Sequence, residues 1–320
     1  MAGKNKFFFF FIPQNYTLFC HTQEQIGLIG QIAPEAAIFQ PEIAHRTITP
    51  VTLLKTRFQN YNMKNSIDAT YLGGPTVILE IGGLRIMTDP TLDPAGTTFM
   101  INDKPGYRKL EGPALTDIGK IDLVLLSHDQ HGDNLDNAGR QLLKTVPLTL
   151  TTRIGAERLK DNVKGLAPWE STTVHTPSGE EIVITSTPAR HGPAGVERLT
   201  GDVTGFIVSY GDRQLYITGD TVFYEGLAEV AKRFKPEYIF IFAGAAQPRG
   251  PFSVTMDTND AIDTAFAFPE STLIPVHFEG WSHFTQSAES LQRSFTALGI
   301  IDRLMILPPG KSTNLPPTAS

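Results

Sequence analysis

Four times along this 320-residue chain an apolar run stops at a histidine or an aspartate set among glycines, prolines or serines. Residues 121–126 end in Ser127-His128, and a strand-like run leads through Pro188-Ala189-Arg190 to His191 and Gly192. Residues 215–218 end in Gly219-Asp220, and 273–276 end at His277. A histidine that only packs a core sits mid-strand more often. Strand ends are where α/β architectures place their chemistry. One such ending is weak evidence, but four with the same logic constrain the chain to a strand-rich α/β fold with functional loops.

The rest of the pattern fits that constraint. Residues 76–81 and 84–88 read as strands around a Gly82-Gly83 hairpin turn. Further strands are expected at 148–152, 180–187, 204–210, 214–218 and 238–242. Helices are expected at 134–146, 156–162, 224–233, 259–266 and 287–298. Hairpins first, then alternation of strands and helices, suggest two sheets packed face to face with helices outside. Residues 1–62 show no sustained period and read as an N-terminal extension, disordered or preceding a natural start at Met63. The expected domain is 63–310, and the proline-rich 311–320 reads as a disordered tail.

Charge and cysteine content exclude some classes. The net charge of −6, with no basic block, gives no electrostatic reason to expect nucleic acid. The single Cys20 rules out an intrachain disulfide and a Cys-x-x-Cys zinc site, so any metal must be held by His and carboxylate. No apolar run is long enough for a membrane helix. Lys4 and Lys6 precede an apolar run of only six residues, 7–12, with no small-x-small cleavage site after it. That is short of a signal peptide, and the expectation is a cytoplasmic protein.

The densest chemical segment is 127–136, Ser-His-Asp-Gln-His-Gly-Asp-Asn-Leu-Asp. Imidazole and carboxylate are the ligands that zinc, manganese or iron accept without sulfur. The plainer alternative is an Asp-rich turn with Asp133 or Asn134 capping the next helix.

With Gly73-Gly74-Pro75-Thr76, Thr88-Asp89-Pro90, the loop above, Ala189-Arg190-His191-Gly192, Thr218-Gly219-Asp220-Thr221 and Pro275-Val276-His277-Phe278 in this order, the chain resembles the metallo-β-lactamase superfamily. Within it, the resemblance is to the branch of ascorbate-6-phosphate lactonase-like hydrolases, and it covers about 69–307. It implies a four-layer αββα sandwich of the α/β (α+β) class. It also implies His128, His131 and His191 at a first metal, Asp133 and His277 at a second, and Asp220 between them. One or two divalent ions, zinc or manganese, with iron as an alternative, are the implied cofactors, and a water between the two ions the nucleophile.

The chain departs from the family's His-x-His-x-Asp-His loop twice. One extra residue separates His128 from His131, and Gln130 takes the place a left-anchored alignment gives the second histidine. His131 keeps the spacing to Asp133 and is the expected ligand. Asn134 stands where the family has a histidine for the second metal, which predicts a weak site, an empty one, or one suited to a harder ion. Asp136 either compensates or caps the helix.

Asp133 and His283 are the expected catalytic groups. His283 is read as binding substrate or transferring a proton, against the alternative of a surface histidine beside Trp281. Arg190 and Arg249 are candidates for an anionic group, Arg190 alternatively pairing with a nearby carboxylate, and Tyr224 is a candidate for the pocket wall. Asp89 is a candidate partner for a ligand histidine. The expected function is a metal-dependent hydrolase acting with metal-activated water on an ester, lactone, amide or phosphodiester. The competing readings are an iron-dependent oxidoreductase of the same fold and a non-catalytic ligand-binding member. The expected partner is a small-molecule substrate. The resemblance allows a homo-oligomer, and substrate choice is assigned to 97–110 and 247–252.

Overall fold

The structure is a computed structural model that describes residues 66–101 and 103–318. The expectation for 1–62 lies outside the described residues, as do Met63 and the two residues after it.

Two sheets face each other. The first has seven strands in the order β15-β1-β2-β3-β6-β7-β8, namely Ser312–Asn314, Ile67–Gly73, Thr76–Ile81, Leu84–Thr88, Leu123–Leu125, Leu148–Thr152 and Val163–Leu166. The second has six in the order β14-β13-β12-β11-β10-β9, namely Thr272–Val276, Tyr238–Phe242, Arg213–Ile217, Thr204–Tyr210, Glu181–Pro188 and Ser171–His175. A separate hairpin joins β4 (Thr98–Ile101) to β5 (Lys104–Arg108).

Period-2 alternation explains the layering. In β2, Val77, Leu79 and Ile81 enter the core between the sheets, while Ile78 faces the outer layer. In β13, Tyr238, Phe240 and Phe242 face inward and Ile239 and Ile241 outward. Strands apolar on both faces demand cover on both. Over the second sheet that cover is α4 (Glu225–Arg233), α5 (Thr258–Ala267) and α6 (Ala288–Ala297), through Leu227, Val230, Ala261, Leu291 and Phe295. Over the first sheet α1 (Asn137–Leu143) contributes Leu143, beside Leu135. Two short helices, α2 (Arg153–Leu159) and α3 (Glu197–Thr200), and a 3-10 turn at Ile301–Arg303 complete the described set. The arrangement is the expected αββα sandwich.

Local chemistry moves some boundaries. The helix expected from 134 begins only at Asn137, because Asp136, not Asp133 or Asn134, is its cap and accepts from Gly139 N at 2.9 Å. The helix expected at 156–162 starts earlier, where Thr152 Oγ1 accepts from Gly155 N at 3.0 Å.

The disordered tail is corrected. Ser312–Asn314 pairs antiparallel with β1, Leu315 is buried in the inter-sheet core, and Arg213 donates to Leu315 O at 2.8 Å. Prolines flank this strand rather than interrupt it, so the composition concealed a short edge segment.

Candidate metal centre

The parallel pairs β3–β6–β7 and β12–β13–β14 set their C-terminal ends side by side, and the chemical residues follow directly. Asp89 comes after β3, His128 after β6, His191 after β10, Asp220 after β12 and His277 after β14. Gly219 makes one of these exits feasible. It has φ +63°, and a Cβ there would meet Thr204 O at 2.5 Å. His277 also adopts positive φ, 54°, and its N–H donates to Gly74 O at 2.7 Å. A non-glycine residue held there costs backbone energy that the surrounding packing must offset.

Two donor clusters result. His128, His131, His191 and Asp220 bring one donor atom each within 4.8 Å of one another, and so do Asp133, Asp220 and His277. His128 Nε2 lies 2.8 Å from His131 Nδ1, which lies 3.1 Å from His191 Nε2. Asp220 belongs to both clusters. Its Oδ2 is 3.5 Å from His191 Nε2 and its Oδ1 is 3.4 Å from His277 Nε2. His277 Nε2 is also 3.5 Å from Asp133 Oδ2.

The surroundings fix which nitrogen faces inward. Ser127 Oγ donates to Asp89 Oδ1 at 2.8 Å, so it accepts from His128 Nδ1 at 2.9 Å and leaves Nε2 as a lone-pair donor. His191 Nδ1 donates to Val254 O at 2.7 Å with the same result. Burial, then the neighbouring imidazoles, hold His128 well below the ordinary imidazole range and His131 at about 4. Burial opposes charge on Asp220 and Asp133. The adjacent rings, His277 foremost at Asp220 and His283 at Asp133, nevertheless keep both carboxylates well below their usual range. Burial lowers His277, but Asp220 and Asp133 outweigh it and raise the ring to about 10. The neutral His128 and His131 and the ionised carboxylates are in the states a divalent ion requires, whereas the proton held on His277 between the two carboxylates is one that a bound ion would displace.

The donors also fit such an ion by what they lack. Both ring nitrogens of His277 and Oδ1 of Asn134 are buried without a hydrogen-bond partner. Buried polar groups are rarely left so unless a water or an ion pairs with them.

Gln130 turns away. Its amide donates to Thr200 O and Asp202 O, each at 3.0 Å, and Arg158 donates to its oxygen. The extra residue in the loop is absorbed there, leaving His131 to face the cluster. Asn134 is buried and donates to Asp220 Oδ1 at 3.2 Å. Asp136 is the helix cap and pairs with Lys109 at 3.0 Å. Asp89 reaches His128 through Ser127. His283 Nε2 lies 2.8 Å from Asp133 Oδ2, with its ring 4.6 Å from that of Tyr107.

A cavity of about 430 Å³ opens onto His131, Asp133, His191 and His283, and Arg249 is on its wall. Arg190 and Tyr224 are not. Arg190 stacks on the Tyr224 ring at 4.6 Å and faces a neighbouring cavity of about 410 Å³, which shares His191, Gly201 and Asp202 with the first. Arg158, Arg198 and Tyr107 also line the main cavity. No local motif marks them, because each arrives from an element remote in sequence. Among the described residues no helix is long and apolar enough to cross a membrane.

A family model described as beta-lactamase superfamily domain matches residues 84–278. UPF0173 protein YddR of Bacillus subtilis is 26% identical over 257 residues, covering 77% of this chain and 99% of that protein. A UPF0173 metal-dependent hydrolase of Caldivirga maquilingensis is 23% identical over 248 residues, covering 77% and 97%. The crystal structure of isothiocyanate hydrolase from Delia radicum gut bacteria shares the fold, with a TM-score of 0.67 at 24% identity over 78% of this chain and 99% of that one. The matched span takes in every candidate ligand from His128 to His277, and on that ground the chain belongs to the β-lactamase superfamily.

Proposed function

We propose that this metal-dependent hydrolase holds two divalent ions, zinc or manganese, and uses water to cleave an ester, lactone, amide or phosphodiester. His128, His131, His191 and Asp220 would hold the first ion, and Asp133, Asp220 and His277 the second. The observation that carries this reading is the division of Asp220, one oxygen toward His191 and the other toward His277. A carboxylate so shared suits a pair of ions better than one. Bound there, divalent ions supply Lewis acidity that brings the pKa of water from about 15.7 to about 7.

The protein's own groups do the rest. Ser127 and Val254 O keep His128 and His191 in the tautomer that aims Nε2 inward. His283 donates from Nε2 to Asp133 and holds that carboxylate in place. Its Nδ1 has no partner, which suits it to carry a proton for a leaving group in the cavity. The motifs of the ascorbate-6-phosphate lactonase-like branch support a lactone or a related ester as one arm of a substrate screen. Arg190 would touch only a substrate that extends into the neighbouring cavity, and Tyr224 lines neither cavity and would act through its stacking on Arg190.

Metal content decides the reading. Protein purified without chelator or a His tag should carry about two equivalents of zinc or manganese by mass spectrometry, if both clusters bind. Asp220→Ala should lose most of the second ion and the activity. Unchanged stoichiometry in that variant would overturn the assignment, and iron would favour the oxidoreductase reading instead.

A further inference from the structure

Besides metal ligands, the cavity that opens onto them is lined by three arginines from three separate elements: Arg158, Arg198 and Arg249. They are not equivalent. Arg158 is tied to both carboxylate oxygens of Asp129 and to Gln130, so its charge is already matched. Arg198 and Arg249 have no hydrogen-bond or ion-pair partner among the described residues. Three arginines that are buried or half-buried elsewhere in the described chain are held by protein oxygens. Arg213 pairs with Glu237 at 2.6 Å, Arg85 with Glu80 at 3.2 Å, and Arg303 donates to the carbonyls of Ala265 and Ser271.

The wall beside the two free guanidinium groups holds one carboxylate other than the metal ligand Asp133, namely Asp202. Met100 and Leu199, 58% and 55% exposed, add apolar surface to the same cavity. Both side chains are exposed, and two unmatched cations lining one cavity raise the local potential for anions. A planar guanidinium recognises carboxylate and phosphate oxygens in pairs.

We propose that the substrate carries an anionic group, carboxylate or phosphate, remote from its scissile bond, and that Arg198 and Arg249 bind this group while the bond faces the metal centre. This rests on the hydrolase reading above and narrows it to charged esters, lactones or amides. The chain's overall negative charge makes the positive cavity a local feature, set against a background that repels anions.

The test uses zinc-loaded full-length protein and three 4-nitrophenyl esters of similar acyl length: an uncharged butyrate, a glutarate with a free carboxylate, and an ester ending in a phosphate group. The expected kcat/KM favours a charged ester over the uncharged one by about tenfold or more, mainly through KM, the size of a charge-assisted contact. Carboxylate and phosphate are told apart by which of the two is preferred. In Arg198→Ala and Arg249→Ala the charged-to-uncharged ratio should fall toward one, and Arg249→Lys should retain part of it. A ratio near one in the unmodified protein, or an unchanged ratio in both variants, overturns the proposal while leaving the hydrolase reading intact.

Titration calorimetry with monomethyl glutarate and methyl phosphate covers the opposite case. If no ester is cleaved but binding of these anions weakens about tenfold in the double variant, the hydrolase reading fails and the anion site stands. Equal binding in the double variant overturns the anion site.

Discussion

Asp89 Oδ1 accepts from both the backbone N–H and the hydroxyl of Ser127, each at 2.8 Å. The two strand ends after β3 and β6 are thereby tied together one residue before His128. Burial pushes Asp89 well above the usual carboxylate range, and the two Ser127 bonds oppose that shift.

Removing this anchor should loosen the first ligand. Asp89→Ala leaves the buried Ser127 N–H and hydroxyl unpaired, at a cost of about 1–3 kcal/mol. It also frees the His128 tautomer, and partners of this kind are typically worth about 10–100-fold in metal affinity. Zinc titration against a competing chelator and a denaturant melt read the two effects. A full-affinity variant would show that Asp89 serves folding alone.

The choice between the two residues of the extended loop can be made directly. His131→Ala should remove the first metal, because the cluster loses a donor that contacts both His128 and His191. Gln130→Ala should keep it, since that amide bonds the backbone at Thr200 and Asp202. Metal retention by His131→Ala with loss by Gln130→Ala would reverse the loop's register.

Asn134→His should tighten the second metal site, if the buried side chain beside Asp220 stands in a ligand position. The larger ring enters a filled space, so a stability loss of about 1–3 kcal/mol is expected alongside. Unchanged affinity in calorimetric zinc titration would mean that position 134 contributes no donor to the second ion.

A pH effect is expected at a carboxylate outside the proposed ligand set. Burial, then the charge of Asp257, pushes Asp260 in α5 up to about 6. Its unfolded value is about 3.9, so the native state binds the proton more tightly. The stabilisation is fully present below about pH 4 and is lost as pH rises through about 6. Asp260→Asn should flatten this dependence and, given the group's partial exposure, gain only about 1 kcal/mol near neutral pH. Parallel melting curves for both proteins from about pH 4 to about pH 7 would contradict it.

Leu315→Ala tests the C-terminal segment. Leu315 is fully buried in the inter-sheet core, and truncating such a side chain costs about 2–5 kcal/mol. Urea unfolding followed by circular dichroism would measure it. A change under about 0.5 kcal/mol, the range of ordinary surface substitutions, would mean the segment does not pack as described.

The strand ends were readable from sequence because a buried run that stops at a ligand type beside glycine is a local signal. His128, His191, Asp220 and His277 all carried it. His131 followed from its spacing to Asp133, but the outward turn of Gln130 depends on Thr200, Asp202 and Arg158, which no local window contains. Arg190 and Tyr224 sit near the site in sequence, yet they stack on each other, Arg190 lines the neighbouring cavity instead, and Tyr224 lines neither. Arg198, in a four-residue helix, gave no periodic signal. The strand at 312–314 was hidden because prolines dominate the composition around it, while its pairing depends on β1 at the other end of the described chain.

That last pairing orders events in time. Ala69 stands in register with Thr313, so among the described residues the outer edge of β1 has no partner until residues 312–314 exist. A nascent chain emerging from the ribosome therefore carries an open strand edge until every other strand of both sheets has been made. Closing so long a loop adds little entropy beyond closing a shorter one, since the cost rises only with the logarithm of length. The exposure is one of duration: an unpaired edge can template contact with another chain, and here the edge is sealed only by the last of the described strands.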